Sequence, residues 1–493
     1  MFENAELGHA VDKATYEREA PLLREALLEA QRRLADSDLA VVVIVTGVGG
    51  AGKSEAVNLL LEWLDARGIR VHAMREPTEE ERERPPMWRS WMELPPRGRM
   101  AIAFGAWYAG PLLDHVFGRT SRPELDQALD RIVELERMLH REGVLIVKLW
   151  LHLSKDAQRA KIEELEANPR QRWRIFKRDW NLFRRYDEYR RAGEHVLRRT
   201  DGGEAPWTVV DGTDRRYCHL TVARILLDAL RGGLERTGAT PPAPAPEPLQ
   251  LVPPAVNVIN RLDMGLALDP ATYKEQLLRA QGKLGRLTRR LRKRGRSMVL
   301  VFEGPDAAGK GGAIRRITAA MDARDYQVVS VAAPTDEERS HPYLWRFWRD
   351  VPPRGRVAIY DRSWYGRVLV ERVEGFARPE QWRRAYGEIN AFEEQLAEAG
   401  AIVLKFWLAL TPGEQLRRFE ARQSTPYKQY KLTPEDWRNR DRWASYEAVA
   451  CEMIERTGSE TAPWVLVEAD NKEWARVKVL KAVVRRMKDA LSS

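Results

Sequence analysis

The chain repeats itself at a constant offset of 257 residues, so that a sequence of 493 residues contains two copies of one unit. The segment RERPPMWRSW, from Arg82, matches RSHPYLWRFW, from Arg339, and VKLWLHLS, from Val147, matches LKFWLALT, from Leu404. The same offset relates the matching residues without any insertion over the range 16–464. A tandem duplication explains this constancy, and it predicts two domains with the same fold.

A proline-rich stretch, TGATPPAPAPEPLQLVPPA, joins the two copies at residues 237–255. Proline favours extended polyproline geometry and cannot continue a helix, so this stretch is typical of a semi-rigid linker. We therefore predict an N-terminal domain over residues 1–236, a linker over 237–256 and a C-terminal domain over 257–493.

Within each copy, short apolar runs alternate with helical stretches. The first strands are predicted at residues 41–46 and 298–303, and later strands at 144–151 and 402–408. Nearly continuous β-branched strands that alternate with helices are typical of a parallel sheet covered on both faces. Each copy is therefore predicted to be a three-layer α/β/α domain.

The composition excludes some classes of protein. With 44% hydrophobic and 31% charged residues, the chain can bury real cores and is not globally disordered. The formal net charge of +10 favours phosphate-rich partners, but does not choose among nucleic acid, nucleotide and inorganic polyanion. Two cysteines are too few for a disulfide framework or a cysteine-rich zinc site. Because the sequence lacks a pattern typical of a signal peptide or a bilayer-spanning run, we expect a cytoplasmic protein with no membrane partner.

A glycine-rich loop follows the first strand of each copy. It reads GVGGAGKS from Gly47 and GPDAAGKG from Gly304. This spacing allows backbone N–H groups to surround a phosphate at a helix N-terminus while the lysine reaches its outer oxygens. Because the pattern lies between a strand and a helix in both copies, phosphate binding is favoured over a plain turn. The predicted phosphate or nucleotide contacts in the second copy are Gly304, Ala307, Ala308, Gly309, Gly311 and Gly312.

The second loop lacks the hydroxyl that usually ligates magnesium in nucleoside triphosphatases, because Gly311 follows Lys310. Asp306 in the loop and Asp361, directly after the apolar run at 357–360, are candidate carboxylate ligands instead. A carboxylate at the C-terminal edge of a strand lies where open α/β sheets bind their ligands. A helix N-cap is the alternative role for Asp361.

Two arginines follow Asp361 in the segment DRSWYGRVLVERVEG. Arg362 and Arg367, close to a metal-binding carboxylate, suit a site that must screen the charge of a transferring phosphoryl group. Glu371 belongs to the same segment, with a less defined role.

Five segments in this order resemble the signature blocks of the family-2 polyphosphate kinases: GPDAAGKGGAI, APTDEER, DRSWYGRVLVERVEG, KFWLAL and TPYKQYKLTPEDW. The duplicated, proline-linked arrangement is similar to the fused subgroup of that family, which transfers phosphoryl groups from polyphosphate to AMP. The resemblance covers nearly the whole chain. It implies a thymidylate-kinase-like core with a helical lid, dependence on Mg²⁺, and transfer of the terminal phosphoryl group of inorganic polyphosphate to a nucleotide.

The resemblance also implies roles for individual residues. Asp306 and Asp361 match the two essential acids and are the predicted metal ligands. Lys310 matches the loop lysine. Arg362 and Arg367 match the arginines around the transferred group, so these five residues and Glu371 form the predicted catalytic set.

The acceptor is predicted to be AMP, with ADP as the product. The resemblance implies this acceptor, because the single-domain relatives that use nucleoside diphosphates look to have asparagine where this chain has Gly366. A polyphosphate-dependent nucleoside diphosphate kinase is the alternative within the family; an ATP-dependent nucleotide kinase and a nucleic-acid-binding protein are alternatives outside it. Nucleic acid ranks well behind, because the sequence has no basic tail and no zinc pattern. A homo-oligomer and a pseudo-dimer within one chain are both left open.

A long polyanion needs a basic track that leads to the site. The candidates beyond the strand ending near residue 408 are Arg417, Arg418, Arg422, Lys428 and Lys431. For each of these residues taken alone, a position on a solvent-exposed helix face explains the charge equally well. The five residues taken together favour polyphosphate binding.

Only the C-terminal copy is predicted to catalyse. Although Lys53 persists in the first copy, both carboxylates and both arginines are missing at the matching positions, which are Gly49, Phe104, Gly105 and Gly110. Five tryptophans recur in both copies, so we expect them to pack in the core rather than to stack on bases: Trp345, Trp348, Trp407, Trp437 and Trp464.

Overall fold

The computed structural model describes residues 1–73, 76–170, 172–239 and 247–492, without the side chains of 237–239, 427, 428 and 431. Part of the predicted linker, residues 240–246, thus lies outside the described residues. The chain forms two compact units. Unit 1 comprises Met1–Pro77, Arg89–Pro242 and Pro334–Arg346, and unit 2 comprises Thr78–Trp88, Ala243–Ala333 and Phe347–Ser493.

A short segment of each half therefore belongs to the unit built mainly from the other half. In unit 2, the backbone N–H of Arg354 donates to the carbonyl oxygen of Glu83 at 2.9 Å. In unit 1, the N–H of Arg97 donates to the carbonyl oxygen of Ser340 at 2.8 Å. The units depart from the predicted domains at these two segments, and the residue boundaries of the domains stay a prediction.

Each unit has a five-stranded parallel sheet in its described part, with the strand order 2-3-1-4-5 within each half. The strands of unit 1 are β1 Ala40–Gly47, β2 Ile69–Ala73, β3 Met100–Phe104, β4 Val144–His152 and β5 Trp207–Asp211. Those of unit 2 are β6 Met298–Glu303, β7 Tyr326–Ser330, β8 Val357–Asp361, β9 Ile402–Ala409 and β10 Trp464–Glu468. The predicted duplicated α/β fold is confirmed.

Helices connect the strands. Those of the first half are α1 Lys13–Ala35, α2 Lys53–Trp63, α3 Glu79–Arg82, α4 Trp88–Met92, α5 Ala109–Val116, α6 Arg122–Arg141, α7 Lys155–Ala167, α8 Lys177–Phe183, α9 Tyr186–Thr200 and α10 Arg215–Ala239. Those of the second half are α11 Pro270–Lys293, α12 Lys310–Thr318, α13 Asp336–Arg339, α14 Trp345–Arg349, α15 Val370–Val373, α16 Pro379–Glu398, α17 Pro412–Gln423, α18 Pro434–Asp441, α19 Trp443–Thr457 and α20 Lys472–Ala490. In the part of the chain that the structure describes, no helix is long and apolar enough to cross a membrane.

The central strands are buried along their whole length, which explains why their sequences do not alternate. Every residue of β1, AVVVIVTG, and of β6, MVLVFE, is buried. In unit 2, Leu300 and Phe302 of β6 pack with residues of α11, α12 and α20 in one apolar cluster. Burial of both faces of a parallel sheet leaves its C-terminal edge as the place where polar loops gather.

Both units contain the same buried ion pair between a strand lysine, on β4 or β9, and a glutamate of the preceding helix, α6 or α16. In unit 2, Lys405 Nζ donates to Glu393 Oε2 at 2.6 Å and to the hydroxyl of Tyr365 at 2.9 Å. In unit 1, Lys148 Nζ donates to Glu136 Oε2 at 2.7 Å and contacts the Tyr108 hydroxyl at 3.2 Å. Because both units keep this arrangement, it belongs to the common framework of the fold.

Candidate active site

The second phosphate loop, residues 304–309, connects β6 to α12. Gly304 has φ +140°, and a Cβ there would lie 2.5 Å from the carbonyl oxygen of Leu408, so only glycine fits. Gly309, with φ +104°, is the N-cap of α12. The predicted phosphate contacts therefore lie in this loop and, for Gly311 and Gly312, in the first turn of α12.

Lys310 begins α12 and bends back over the loop. Its Nζ donates to the carbonyl oxygens of Gly304 at 2.6 Å and Pro305 at 3.2 Å. Burial lowers the pKa of Lys310, and Arg362 lowers it further, whereas the charges of Asp306 and Asp361 oppose this shift. Both predicted carboxylates thus act directly on the loop lysine.

Asp306 is held by two donors. Arg362 Nη2 donates to Oδ1 at 2.8 Å, and Asn439 Nδ2 donates to Oδ2 at 2.9 Å. Burial alone would raise the pKa of Asp306, but Lys310, Arg362 and the hydrogen bonds outweigh burial and lower it. Asp306 is therefore an ionised carboxylate that accepts hydrogen bonds and has no proton to donate.

Asp361 is the last residue of β8, at the sheet edge where it was predicted. A Cβ on Gly311 would lie 4.0 Å from Asp361 Oδ2, so the carboxylate borders the first turn of α12. The alternative role as a helix N-cap is wrong, because Ser363 caps the following 3-10 helix, Trp364–Arg367, with its hydroxyl accepting from the N–H of Tyr365. Asp361 is therefore not the cap of this helix, and its predicted role as a metal ligand stays a prediction.

Arg362 has a left-handed backbone, with φ +64°. This conformation directly follows Asp361 and accompanies the ion pair between the Arg362 side chain and Asp306. Arg367 is the last residue of the 3-10 helix, and its Nε donates to Glu371 Oε2 at 2.8 Å. The structure thus gathers Asp306, Lys310, Asp361 and Arg362 around the start of α12, and pairs Arg367 with Glu371 in the adjoining segment.

The donor set suits a hard divalent cation bound together with substrate. Among the described residues, no group of three or more His, Cys, Asp or Glu side chains could hold a metal ion by itself. Asp306 and Asp361 nevertheless provide two carboxylates beside the loop lysine. Mg²⁺ is commonly held by one or two carboxylates plus substrate phosphates, so two carboxylates beside a phosphate loop fit it.

The residues of the predicted basic track do not all lie on one exposed surface. Arg417 on α17 is exposed and pairs with Glu414 through two hydrogen bonds of 2.6 and 2.7 Å. Arg418 is instead buried: it donates to the carbonyl oxygens of Ala307 at 2.8 Å and of Ala469 at 2.6 Å. The guanidinium of Arg418 therefore holds the backbone of the phosphate loop through the Ala307 carbonyl. Arg422 lies on the same helix, and the side chains of Lys428 and Lys431 lie outside the described residues.

Sequence reasoning missed three polar residues at this site. Glu303, the buried last residue of β6, accepts a 2.8 Å hydrogen bond from the hydroxyl of Ser363, and burial raises its pKa. Asn439, on α18, holds Asp306 as described above. Comparison of the two halves could have found them, because the polar residue is absent or different at each matching position of the first half. Glu303 matches Thr46, Ser363 matches Ala106, and Asn439 matches Leu182.

A cavity of about 340 Å³ opens beside the phosphate loop within unit 2. Its lining is mainly apolar, with Asp306 and Arg362 among its polar residues. Ile259, Met264, Leu369, Trp407, Leu410 and Trp443 are among its apolar or aromatic walls. Such a cavity, with a few polar groups, is a suitable site for an organic ligand whose charged end meets the loop.

Unit 1 has the phosphate loop and its lysine, but not the carboxylates that lie beside them in unit 2. Lys53 Nζ donates to the carbonyl oxygens of Gly47 at 2.8 Å and Val48 at 2.6 Å, and burial lowers the pKa of Lys53 to about 8. Where unit 2 has Asp306, this loop has Gly49, whose Cβ position would lie 3.0 Å from the amide nitrogen of Gln158. The lysine is present in both units, whereas the carboxylates are not.

Comparison with known proteins agrees with this geometry. The family model described as Polyphosphate kinase 2 (PPK2) matches residues 10–237 and again residues 267–493. A Polyphosphate:AMP phosphotransferase of Pseudomonas aeruginosa is 51% identical over 484 residues, which cover 98% of each chain. Another from Pseudomonas syringae pv. tomato is 48% identical and covers 100% of this chain and 99% of the relative. A crystal structure of a polyphosphate kinase 2 from Pseudomonas aeruginosa superimposes with a TM-score of 0.89 at 49% identity, with full coverage of both chains. The two matched repeats and the full-length relatives show that this chain belongs to the polyphosphate kinase 2 family.

Proposed function

We propose that this protein transfers the terminal phosphoryl group of inorganic polyphosphate to AMP, which gives ADP and a polyphosphate one phosphate shorter. The observation that carries the proposal is the grouping of Asp306, Lys310, Asp361 and Arg362 around one phosphate loop beside an apolar cavity. The names of the full-length relatives support the same reaction.

In the proposed reaction, an oxygen of the AMP phosphate attacks the terminal phosphorus of polyphosphate. A new P–O bond forms to AMP, and the phosphoanhydride bond to the rest of the chain breaks. The AMP phosphate has a second pKa of about 6, so the attacking oxygen is largely ionised near neutral pH and no general base is required. Asp306, whose lowered pKa keeps it ionised, is better suited to orient its partners than to remove a proton.

Repulsion between two polyanions is the main obstacle to this transfer. Lys310 and Arg362 place positive charge at the loop, and Arg367 adds more from the next segment. Donors that are already in place stabilise the charge of the transition state without reorganisation. These side chains therefore carry the electrostatic part of the catalysis that we propose.

Kinases of this family generally use a divalent metal, and we propose that it is Mg²⁺ held by Asp306 and Asp361. When bound, the ion would neutralise negative charge on the phosphate oxygens. The two carboxylates would hold it beside Lys310, and the hydrogen bond between Glu303 and Ser363 supports the adjoining strand end.

We place the nucleoside of AMP in the cavity and its phosphate toward Arg362, which lines one part of that cavity. Polyphosphate would then enter along the loop and the exposed side of α17, where Arg417 lies. We also propose that the protein acts in the cytoplasm, where its two cysteines, free and buried in the structure, would stay reduced.

The direct test is to incubate the protein with AMP, Mg²⁺ and long-chain polyphosphate and to measure ADP. Parallel reactions replace polyphosphate with ATP, or AMP with ADP. We expect ADP from polyphosphate and AMP, with a higher kcat/KM for AMP than for ADP as acceptor. Transfer that requires ATP as the donor would overturn the proposal, whereas equal use of AMP and ADP would remove only the choice of acceptor.

A further inference from the structure

We infer that Trp407 is a recognition residue for the acceptor nucleoside, and that the side chains at positions 259 and 409 decide whether a unit has a nucleoside cavity at all. The inference rests on the proposed function, because it assigns binding determinants to the acceptor of that reaction. It also changes the expectation that Trp407 serves only in packing.

Trp407 lines the cavity, and only 6% of its surface is exposed. Its indole N–H is buried and has no hydrogen-bond partner in the part of the chain that the structure describes. A buried donor without a partner costs stability, so native proteins seldom keep one without a use. The ring nitrogens of a base and the hydroxyl oxygens of a ribose are acceptors that could take this hydrogen bond.

The matching tryptophan of unit 1 has a protein partner. Trp150 Nε1 lies 3.4 Å from Nδ1 of His152. His152 is fully buried, and its Nε2 lies 2.8 Å from Glu6 Oε1. Position 409 of unit 2, which matches His152, carries alanine. The same indole N–H is therefore used by the protein in unit 1 and left for another group in unit 2.

A second side chain fills the same region of unit 1. Phe2 is fully buried, stacks on His152 with a centroid distance of 4.3 Å and an interplanar angle of 5°, and lies 5.6 Å from the ring of Trp150. The offset of 257 also pairs Gly8 with Gly265 and Asp12 with Asp269, and it pairs Phe2 with Ile259, which lines the cavity of unit 2. Two rings in unit 1 thus correspond to an isoleucine and an alanine beside open space in unit 2.

The chemistry of the cavity matches a nucleoside better than polyphosphate. Its walls are mainly apolar, and Glu303 and Glu447 line it as well, so a chain of phosphates would meet carboxylates there. Arg362 is near the loop, where one phosphate group of a nucleotide would lie. A planar base with hydrogen-bond acceptors satisfies the apolar walls and the indole N–H together.

The first test replaces Trp407 with phenylalanine, which keeps an aromatic ring but removes the donor. Binding of AMP is measured by calorimetry, without turnover, together with the KM values for AMP and polyphosphate. We expect AMP affinity to fall about 3- to 10-fold, as loss of one hydrogen bond predicts, with an unchanged KM for polyphosphate and no loss of thermal stability. The matched control, Trp150→Phe in unit 1, should leave AMP affinity unchanged.

The second test rebuilds the unit 1 arrangement in unit 2 with the double variant Ile259→Phe/Ala409→His. Unit 1 packs the same two side chains at this place. The residue at the offset of 257 from Glu6, which accepts from the histidine in unit 1, is Asp263. We expect a folded protein, checked by circular dichroism, whose AMP affinity has fallen at least 30-fold, because the rings occupy the nucleoside's place.

The two experiments separate this inference from the proposed function. Wild-type protein that makes no ADP from polyphosphate and AMP would defeat the proposed function, whatever the binding results. Wild-type protein that binds no AMP, or Trp407→Phe and the double variant that fold and bind AMP as wild type does, would overturn the inference even if ADP is formed.

Discussion

The two units share a phosphate loop and differ in the charged side chains that surround its lysine. Lys53 and Lys310 both donate to the two carbonyl oxygens at the start of their loops, with distances between 2.6 and 3.2 Å. Around Lys310 stand Asp306, Asp361 and Arg362, whereas the matching positions around Lys53 carry glycine or phenylalanine. The phosphate loop alone therefore does not distinguish the two units. The charged residues beside it are the difference that can make one unit catalytic and the other not.

What the units keep in common supports this interpretation. The buried pair Lys405 and Glu393 has its equivalent in Lys148 and Glu136, with nearly the same distances. Removal of one partner from such a pair leaves an uncompensated buried charge, which strongly destabilises the fold. The shared residues belong to the framework of the fold, and those found in unit 2 alone are the ones to which we assign the chemistry.

The largest effect that sharpens the comparison is expected for Asp361→Asn. This change removes a proposed metal ligand at the edge of β8 but keeps the size of the side chain. Turnover should fall by about 10²- to 10³-fold or more, and added Mg²⁺ should not restore it. The matched substitution in unit 1, Phe104→Asn, should leave turnover nearly unchanged. Wild-type turnover of Asp361→Asn at saturating Mg²⁺ would show that the metal assignment is wrong.

Arg362→Gly gives unit 2 the residue that unit 1 has at this position, Gly105. Because Arg362 has φ +64°, glycine relieves the backbone rather than straining it, and thermal stability should change little. We expect kcat to fall about 10²-fold through loss of one charge at the transferring group. Steady-state kinetics that stay within 3-fold of wild type would place the arginine outside the reaction.

Neighbouring arginines on α17 are expected to respond differently to alanine. Arg418→Ala leaves the carbonyl oxygens of Ala307 and Ala469 without their buried donor, so the free energy of unfolding should fall by about 2–4 kcal/mol. Arg417→Ala removes an exposed ion pair and should change stability by less than about 1 kcal/mol. Thermal and denaturant unfolding distinguish the two variants, and equal loss of stability would contradict the structural role given to Arg418.

The pH dependence should reflect the acceptor rather than the loop carboxylate. The pKa of Asp306 is lowered, so its carboxylate stays ionised until the pH falls through a value below its ordinary range. The AMP phosphate takes up a proton at about pH 6, well before that point. We therefore expect kcat/KM for AMP to decline below about pH 6 at roughly tenfold per pH unit. A profile that stays flat from pH 7 to pH 5 would contradict this account.

Strand and loop positions were predictable because they depend on local patterns. The buried runs of β1 and β6, the glycines with positive φ and the carboxylate at the end of β8 all follow from residue types at fixed spacing. Those features require no knowledge of distant contacts. The predicted roles of the individual site residues stay predictions.

Residues whose roles depend on tertiary contacts were not predictable in the same way. Arg418 looks like a surface charge in the sequence, but its helix turns it toward the loop carbonyls. Asn439 reaches Asp306 across 133 residues of sequence. The assignment of Thr78–Trp88 and Pro334–Arg346 to the unit of the other half leaves no local signal, because each segment contains the same short capped helix, Glu79–Arg82 or Asp336–Arg339. For the same reason, the variants proposed above are all made in the full-length chain.

The most direct measurement of the central claim, that unit 2 alone catalyses, uses the two equivalent lysines. Lys310→Ala and Lys53→Ala remove the same side chain from the same place in two loops of the same protein. With both variants shown to be folded, ADP formation from polyphosphate and AMP should fall by about 10²- to 10³-fold for Lys310→Ala and stay within 2-fold of wild type for Lys53→Ala. Loss of turnover in folded Lys53→Ala, or its retention in Lys310→Ala, would contradict the division between the two units.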